Sequence, residues 1–359
     1  MKRIMTHNPL SRLIKAKYAN RLVDYMYNRH LPTILDKNYC ILHYQRLGNA
    51  LPSRLFYRID IDAPDGFFAL YLWLLGYLMY AEAFHLEPVV MYSKKTPFYD
   101  ESYTRVSGLC NPFDYYFEPL VQEPLALLNE AQNVVFSRRA HLMYVRELFG
   151  ITYQYALDDT QLLTLAQQAK RVRFNQSTKE AIKHVEAELN LPSKVIGVHF
   201  RGSDYRYNLH GHPVFTDETH YFETLDTLLG KFPDHVIFLA SDDSHALNAF
   251  KSRYQDKLYH VTGSVRSDSL TNTVFQKNAR PFHNYQTGLD VLIDCHLLST
   301  CEVLVCGPSN VASGARILKA SRDEHFLEVI LLNKGLNVNH TTLETVDLGF
   351  KAFQSKNQK

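Results

Sequence analysis

Six residues, Val195–Phe200 (VIGVHF), form a buried-strand run that ends without a linker in Arg201-Gly202-Ser203-Asp204. The run shows no apolar–polar alternation, which is how a strand covered on both faces reads. An arginine, a glycine and a carboxylate then fall at the strand's C-terminal end, the edge at which an open α/β sheet meets charged ligands. Arg201 can fork onto a phosphate, Gly202 lets backbone come close, and Asp204 can hold Arg201 or a hydroxyl.

The residues around that run repeat the same grammar. Ser177-x-x-Glu180 reads as a capping box opening a helix to about Leu189, and Pro192 marks its end. After strand 195–200 come helix Glu218–Leu229, capped by Thr216 or Asp217, strand Val236–Ala240, and helix Ser244–Arg253 behind Ser241-Asp242-Asp243. Strand Leu258–Val261, an apolar helix over Leu289–Ser299, strand Val303–Cys306, helix Val311–Ala320 and strand Leu327–Leu332 complete the order. Strands alternating with helices on short links predict a parallel sheet with helices on both faces. Three strand ends carry polar clusters: Arg201–Asp204, Ser241–Asp243 and Gly307-Pro308-Ser309-Asn310. In a doubly wound sheet these converge on one crevice, and the last also opens a helix whose free N–H groups suit a phosphate oxygen. Neither G-x-G-x-x-G nor G-x-x-x-x-G-K-[ST] occurs, so nothing points to a dinucleotide fingerprint or a P-loop.

The first half is sparser. Asn38–His43 and Phe56–Ile61 read as strands, Ala63-Pro64-Asp65-Gly66 as a turn, Phe67 to about His85 as a buried helix, and Pro88–Tyr92 as a strand. That is a βαβ unit. Residues 93–120 are loop-rich and aromatic (Phe98, Tyr99, Tyr103, Phe113, Tyr115, Tyr116, Phe117). Such loops either line a ligand site or close a domain with apolar surface.

A chain of 359 residues, 46% hydrophobic, suggests two domains with substantial cores. Five cysteines (Cys40, Cys110, Cys295, Cys301, Cys306) cannot all pair, and no C-x-x-C or Cys/His zinc spacing exists. Cys295 and Cys306 sit in apolar runs as small hydrophobes, and a reducing, cytoplasmic compartment is expected. The net charge of +2 is uneven. Residues 1–46 hold nine Lys/Arg against Asp24 and Asp36, a local +7, which leaves −5 for the remainder. Leu10, Leu13, Ile14, Tyr18, Leu22, Tyr25 and Met26 have helical spacing there. A basic amphipathic helix over residues 1–30 suits an anionic membrane surface; a solvated helix packed on the body of the protein explains the pattern equally. No signal peptide or membrane span is read in the sequence.

Asp294 stands out within VLIDCHLL, flanked by Leu292, Ile293, Leu297 and Leu298. A carboxylate there needs a partner, supplied by a ligand or by a neighbouring amide. Asp290, one turn earlier, reads as ordinary helix-start chemistry.

These blocks together resemble a known family. VHFRGSD is similar to the H-x-R-R-x-D signature of α-1,2/α-1,6-fucosyltransferases and protein O-fucosyltransferases. FLASDDSHAL and LDVLIDCHLLSTCEVLVCGPSN resemble the α-1,6 group, the rhizobial chitin-oligosaccharide and N-glycan core fucosyltransferases, in the same order over about residues 195–320. The first half resembles the group only loosely, through Asp65-Gly66-Phe67 before a helix and PFDYYFEPL. The resemblance implies a GT-B fold, two Rossmann-like domains facing across a cleft, with residues 38–175 on the acceptor side and 176–349 on the nucleotide-sugar side. Residues 1–37 are then the basic N-terminal region and 350–359 a tail. It implies transfer of L-fucose from GDP-fucose with inversion and without a metal or other cofactor. The first signature arginine binds the β-phosphate in the family, so Arg201 inherits that role. The signature histidine and the helix carboxylate, which hold guanine, map to His199 and Asp294. The serine block maps to Ser309 and Asn310 at the phosphates, and Asp242, Gly66 and Phe67 join the donor-binding set. A glycan or lipid-linked oligosaccharide is the implied acceptor, and no nucleic acid is expected as a partner.

The chain departs from the pattern twice. The second signature arginine is Gly202, and the glutamate proposed as general base in the α-1,6 group is missing, since no acid lies between Tyr205 and Thr216. His210 and His212 occupy that loop, and His210, His212, Asp204 or Asp65 is left to serve as base. The rival readings are a GT-B transferase using a different nucleotide sugar, of GDP-mannose or heptose type, and a non-catalytic nucleotide-sugar-binding protein on the same fold.

Overall fold

The computed structural model describes residues 43–139, 141, 142, 145, 157–268 and 280–338. The basic amphipathic helix expected before residue 30 and the tail after 349 lie outside them, as does most of the strand expected over 38–43.

The first sheet has four strands: β1 (His43–Gln45), β2 (Phe56–Ile61), β3 (Glu87–Tyr92) and β4 (Val134–Phe136). Their order is β1-β4-β2-β3, with β2 parallel to β3 and β4, and β1 antiparallel to β4. The βαβ reading holds, with helix α1 (Phe67–Ala83) between β2 and β3. β4 was not anticipated; three residues carry too little pattern to announce a strand. Helix α1 is apolar all round because it is covered all round: it packs on β2 and β3 and against helices α4 (Asp159–Ala169) and α9 (Asn310–Ser321). Short helices α2 (Glu101–Ser107) and α3 (Leu125–Leu128) lie between β3 and β4.

After helix α5 (Gln176–Leu189) the second sheet begins. It comprises β5 (Val195–Phe200), β6 (Val236–Ser241), β7 (Leu258–Tyr259), β8 (Val303–Cys306) and β9 (Glu328–Leu331), in the order β7-β6-β5-β8-β9 and parallel throughout. Helices α6 (Glu218–Lys231), α7 (Ser244–Tyr254) and α8 (His283–Thr300), with α9, make the crossovers. The chain builds outward from β5 to β7, then returns to place β8 on the other side of β5. The topological switch point therefore lies between β5 and β8, where open α/β sheets receive ligands.

β5 lacks alternation because each of its faces has its own core. Ile196, Val198 and Phe200 pack with Tyr221, Leu225 and Phe250. Val195 turns the other way, into the large cluster that also holds β2, α1, α8 and α9. By the same alternation His199 faces α8 and α9.

Several boundaries shift. Asn175, not Ser177, caps α5, its side chain accepting from Thr178 N–H at 2.9 Å. A capping box does occur, at α4, between Asp158 and Gln161. Helix α8 starts six residues before the expected Leu289, so Asp290 lies well inside it instead of at its start. The aromatic residues of 93–120 close the structure: Phe98, Phe113, Tyr115, Tyr116 and Phe117 are each at most 2% exposed. Tyr103 stacks on Tyr285 with ring centres 3.8 Å apart, and Tyr116 Oη donates to Tyr285 O at 2.9 Å. Gly288 permits this contact, since a Cβ there would lie 2.2 Å from Tyr116 Oη. Among the described residues no helix is long and apolar enough to cross a membrane.

Candidate functional site

The carboxyl ends of β5 and β8 are joined before any ligand is considered. Tyr221 Oη accepts from Gly307 N–H at 2.8 Å and donates to His199 O at 3.1 Å, a bridge across the switch point. Beside it, His199 Nδ1 lies 3.1 Å from Ser309 Oγ. Ser309 caps α9, and its Oγ accepts from Ala312 N–H at 3.0 Å. That leaves the hydroxyl proton for His199 Nδ1 and assigns the imidazole proton to Nε2. Burial, reinforced by the Arg201 charge, pushes the His199 imidazole down to about 3, so it is a neutral donor at physiological pH.

Arg201 leaves the end of β5 and is held from one side. Its Nη1 pairs with Asp242 Oδ2 at 2.7 Å, and its guanidinium lies 5.7 Å above the Tyr205 ring. Tyr205 Oη donates to Pro308 O at 3.3 Å, so the ring beside the arginine is tied to the turn that opens α9. Asp242, at the end of β6, is thus a partner of Arg201. The same carboxylate accepts from Gly202 N–H at 3.0 Å and from Ser203 Oγ–H, which stitches the β5 and β6 ends together. Asp242 thus holds Arg201, Gly202 and Ser203 together. The side chain of Asp204 is outside the described structure.

Gly202 has a steric explanation. A Cβ at this position would fall 2.2 Å from Asp243 Oδ2 and 2.5 Å from Asp243 Cβ. Asp243 cannot retreat easily. Its Oδ1 caps α7 through His245 and Ala246 N–H at 2.8 and 3.1 Å, and its Oδ2 accepts from Arg206 Nη2 at 2.9 Å. Arg206 also pairs with Glu218 at 2.7 Å and lies 4.4 Å over the Phe215 ring. The space a second signature arginine would enter is filled by this Asp243–Arg206 pair, which sequence reasoning missed.

The His210–His212 loop is sewn to residues 335–337. Gly211 N–H donates to Asn337 O at 2.9 Å, Asn337 N–H to His212 O at 2.8 Å, and Val214 N–H to Gly335 O at 2.9 Å. His212 meets Tyr205 edge-on with ring centres 6.4 Å apart, which brings it to the Arg201 side of the loop; His210 is exposed. Asn337, buried and turned onto His212 O and Pro213 O, sits in a segment that carried no sequence signal.

On α8, Asp294 has a buried Oδ1 that finds no partner, and Asn310 Oδ1 at the first turn of α9 is in the same condition. Burial pushes the Asp294 carboxyl up to about 7, against the lowering influence of Arg266. Asp290 pairs instead with Arg280 at 2.7 Å. Gly66 caps α1 without a side-chain bond, while the Phe67 ring is enclosed by Phe98, Tyr116 and Phe117. The Phe67 ring is thus packed among protein side chains, and it is the backbone of this residue that a ligand could reach. Cys295, Cys301 and Cys306 are free and buried, as expected of small hydrophobes. Among the described residues, no three His, Cys, Asp or Glu side chains are grouped to hold a metal ion.

Residues 169–313 match the family described as alpha-(1,6)-fucosyltransferase N- and catalytic domains. No curated protein matches the chain by sequence. Among solved structures, the fucosyltransferase NodZ from Bradyrhizobium is similar at 14% identity and a TM-score of 0.45, covering 73% of this chain and 93% of its own. NodZ α-1,6-fucosyltransferase co-crystallised with GDP gives 14% identity and a TM-score of 0.46, covering 73% of this chain and 92% of its own. POFUT1 in complex with GDP gives 12% and 0.42, covering 78% and 99%. The matched segment contains β5 to β8 and His199, Arg201, Asp242, Asp294, Ser309 and Asn310. Through that segment, the chain is similar to the α-1,6-fucosyltransferase catalytic domains.

Proposed function

We propose that this glycosyltransferase moves L-fucose from GDP-fucose to a hydroxyl of a glycan or lipid-linked oligosaccharide, with inversion at the anomeric carbon. The observation that carries the reading is the braced Arg201 at the β5–β8 switch point, beside a Tyr205 ring that is tied to the turn opening α9. In this reading the β-phosphate lies on Arg201 and on the first N–H groups of α9, with Ser309 and Asn310 beside it. Asp294 takes the guanine N1–H and N2–H, and His199 adds a neutral Nε2 donor.

The chemistry follows from charge. The acceptor oxygen attacks the anomeric carbon as the bond from that carbon to the β-phosphate oxygen breaks, and the electron pair leaves with GDP. Negative charge grows on the β-phosphate, where a fixed guanidinium and helix N–H donors stabilise it without reorganising. The acceptor hydroxyl gives its proton to a base. His212, close to Tyr205 and so to Arg201, is better placed for this than exposed His210. No step calls for a metal, and a lipid-linked acceptor suits the basic N-terminal region.

Incubation with GDP-fucose and a panel of oligosaccharide acceptors should release GDP in an acceptor-dependent way. In a thermal-shift panel, GDP sugars should stabilise the protein more than UDP or ADP sugars. Equal, negligible shifts with every nucleotide would remove the donor assignment. Binding of GDP-fucose without release of GDP under any acceptor would make the chain a binding protein.

A further inference from the structure

Asp290 and Asp294 lie one helical turn apart on α8, and the segment after β7 runs beside them. Val265 N–H donates to the Asp290 carboxylate. Asp290 holds Arg280 at 2.7 Å, and Arg280 Nη1 reaches back to Gly263 O at 3.5 Å. Next to Val265, Arg266 has both terminal nitrogens on backbone: Nη2 on Val261 O at 2.9 Å and Nη1 on Ser264 O at 3.3 Å. Its guanidinium is thereby fixed to its own loop. Among the described residues, Ser264 Oγ, Arg266 Nε and Asp294 Oδ1 are buried and have no hydrogen-bond partner. One is a donor, one an acceptor and one can be either. Arg266 is near enough for Asp294 to feel its charge, yet the two do not bond. Fixed, buried groups left unpaired are costly unless a ligand completes them.

We propose that Arg266 is a second base-reading residue of the donor site, its Nε–H donating to a ring carbonyl while Asp294 accepts from the N–H groups beside that carbonyl. Guanine carries this arrangement, O6 next to N1–H and N2–H. Adenine has no carbonyl, and neither uracil nor cytosine presents two adjacent donors to one carboxylate. Ser264 Oγ supplements either partner. The inference rests on the GDP-sugar reading above and adds the residue that would enforce it.

The test measures binding of GDP and of 2-aminopurine riboside diphosphate, which lacks O6 and with it the N1–H, to the full chain. Arg266→Met keeps the side-chain stem and removes the donors. It should weaken GDP roughly 10- to 100-fold while the analogue changes little. Arg266→Lys, which keeps a donor, should retain part of the GDP preference. A loop role alone would weaken both ligands equally, and that result, or unchanged GDP affinity, overturns the assignment. If the unmodified chain prefers ADP or UDP, the donor reading falls and takes Arg266 with it. A GDP preference that survives Arg266→Met removes Arg266 alone.

Discussion

The aromatic interior between the two sheets and the polar edge of β5 and β8 are both buried and both rich in hydrogen-bonding groups, but they treat those groups differently. In the interior the side chains close on the protein. Tyr116 Oη bonds Tyr285 O, and Asn111 serves Tyr92 N–H and Val90 O. Tyr71 is an exception, with a buried hydroxyl that has no partner. At the edge the pattern reverses. Asp242 and Asp243 fix groups around them, while Asp294, Asn310, Ser264 and Arg266 keep buried atoms unpaired. The interior converts polar groups into stability. In the function proposed above, the edge holds them in place for the donor nucleotide.

Five substitutions test that contrast. The largest effect should come from Phe67→Ala, which empties the centre of the aromatic cluster. A loss of about 3–5 kcal/mol in denaturant unfolding is expected, with donor affinity per folded molecule unchanged. A selective loss of GDP binding would instead place Phe67 in the site. Arg201→Ala should cut turnover about 10²–10³-fold with the fold intact by circular dichroism. Near-normal turnover would remove the β-phosphate role.

Gly202→Ala sets a methyl group against Asp243 and should cost about 1–3 kcal/mol. The cost should shrink in an Asp243→Ala background, and strict additivity of the two substitutions in a double-mutant cycle would refute the steric account.

The smallest effects concern pH. The Asp294 carboxyl stands at about 7 in the fold against an ordinary 3.8. Between those values the unfolded chain has lost a proton that the folded chain keeps, so this group lowers stability as pH rises from about 4 to 7. Asp294→Asn should therefore gain about 1–3 kcal/mol at pH 8, a gain that vanishes near pH 4, while GDP affinity falls. The same stability increment at both pH values would show that the group is not raised. His199 has the opposite shift, to about 3 from 6.5. Its stability contribution is present above 6.5 and is lost as pH falls toward 3, so His199→Gln should flatten the acid limb of a Tm-versus-pH curve. An acid limb as steep in the variant as in the parent would assign it to other groups.

Much of this was readable beforehand where a pattern was long or chemically loud. The strand 195–200, the polar strand ends and the carboxylate in VLIDCHLL all announced themselves through composition against neighbours. Short elements did not: β4 is three residues and β7 two. The extra turns at the start of α8 were hidden because HNYQTG is not apolar in sequence, although Tyr285, Thr287 and Gly288 are buried against the aromatic loop. Arg206 and Arg266 looked like ordinary surface arginines.

By itself the sequence determined the alternation of strands and helices, the family signature and which strand ends bear charge, because these depend on local period and residue type. Tertiary structure decided who holds whom. It set Asp242 against Arg201, made Gly202 obligatory by placing Asp243 against it, and put Arg266 beside Asp294. Those outcomes depend on distances between residues 28 to 41 positions apart in the chain, set by sheet order and helix packing. Local sequence carries no record of such distances.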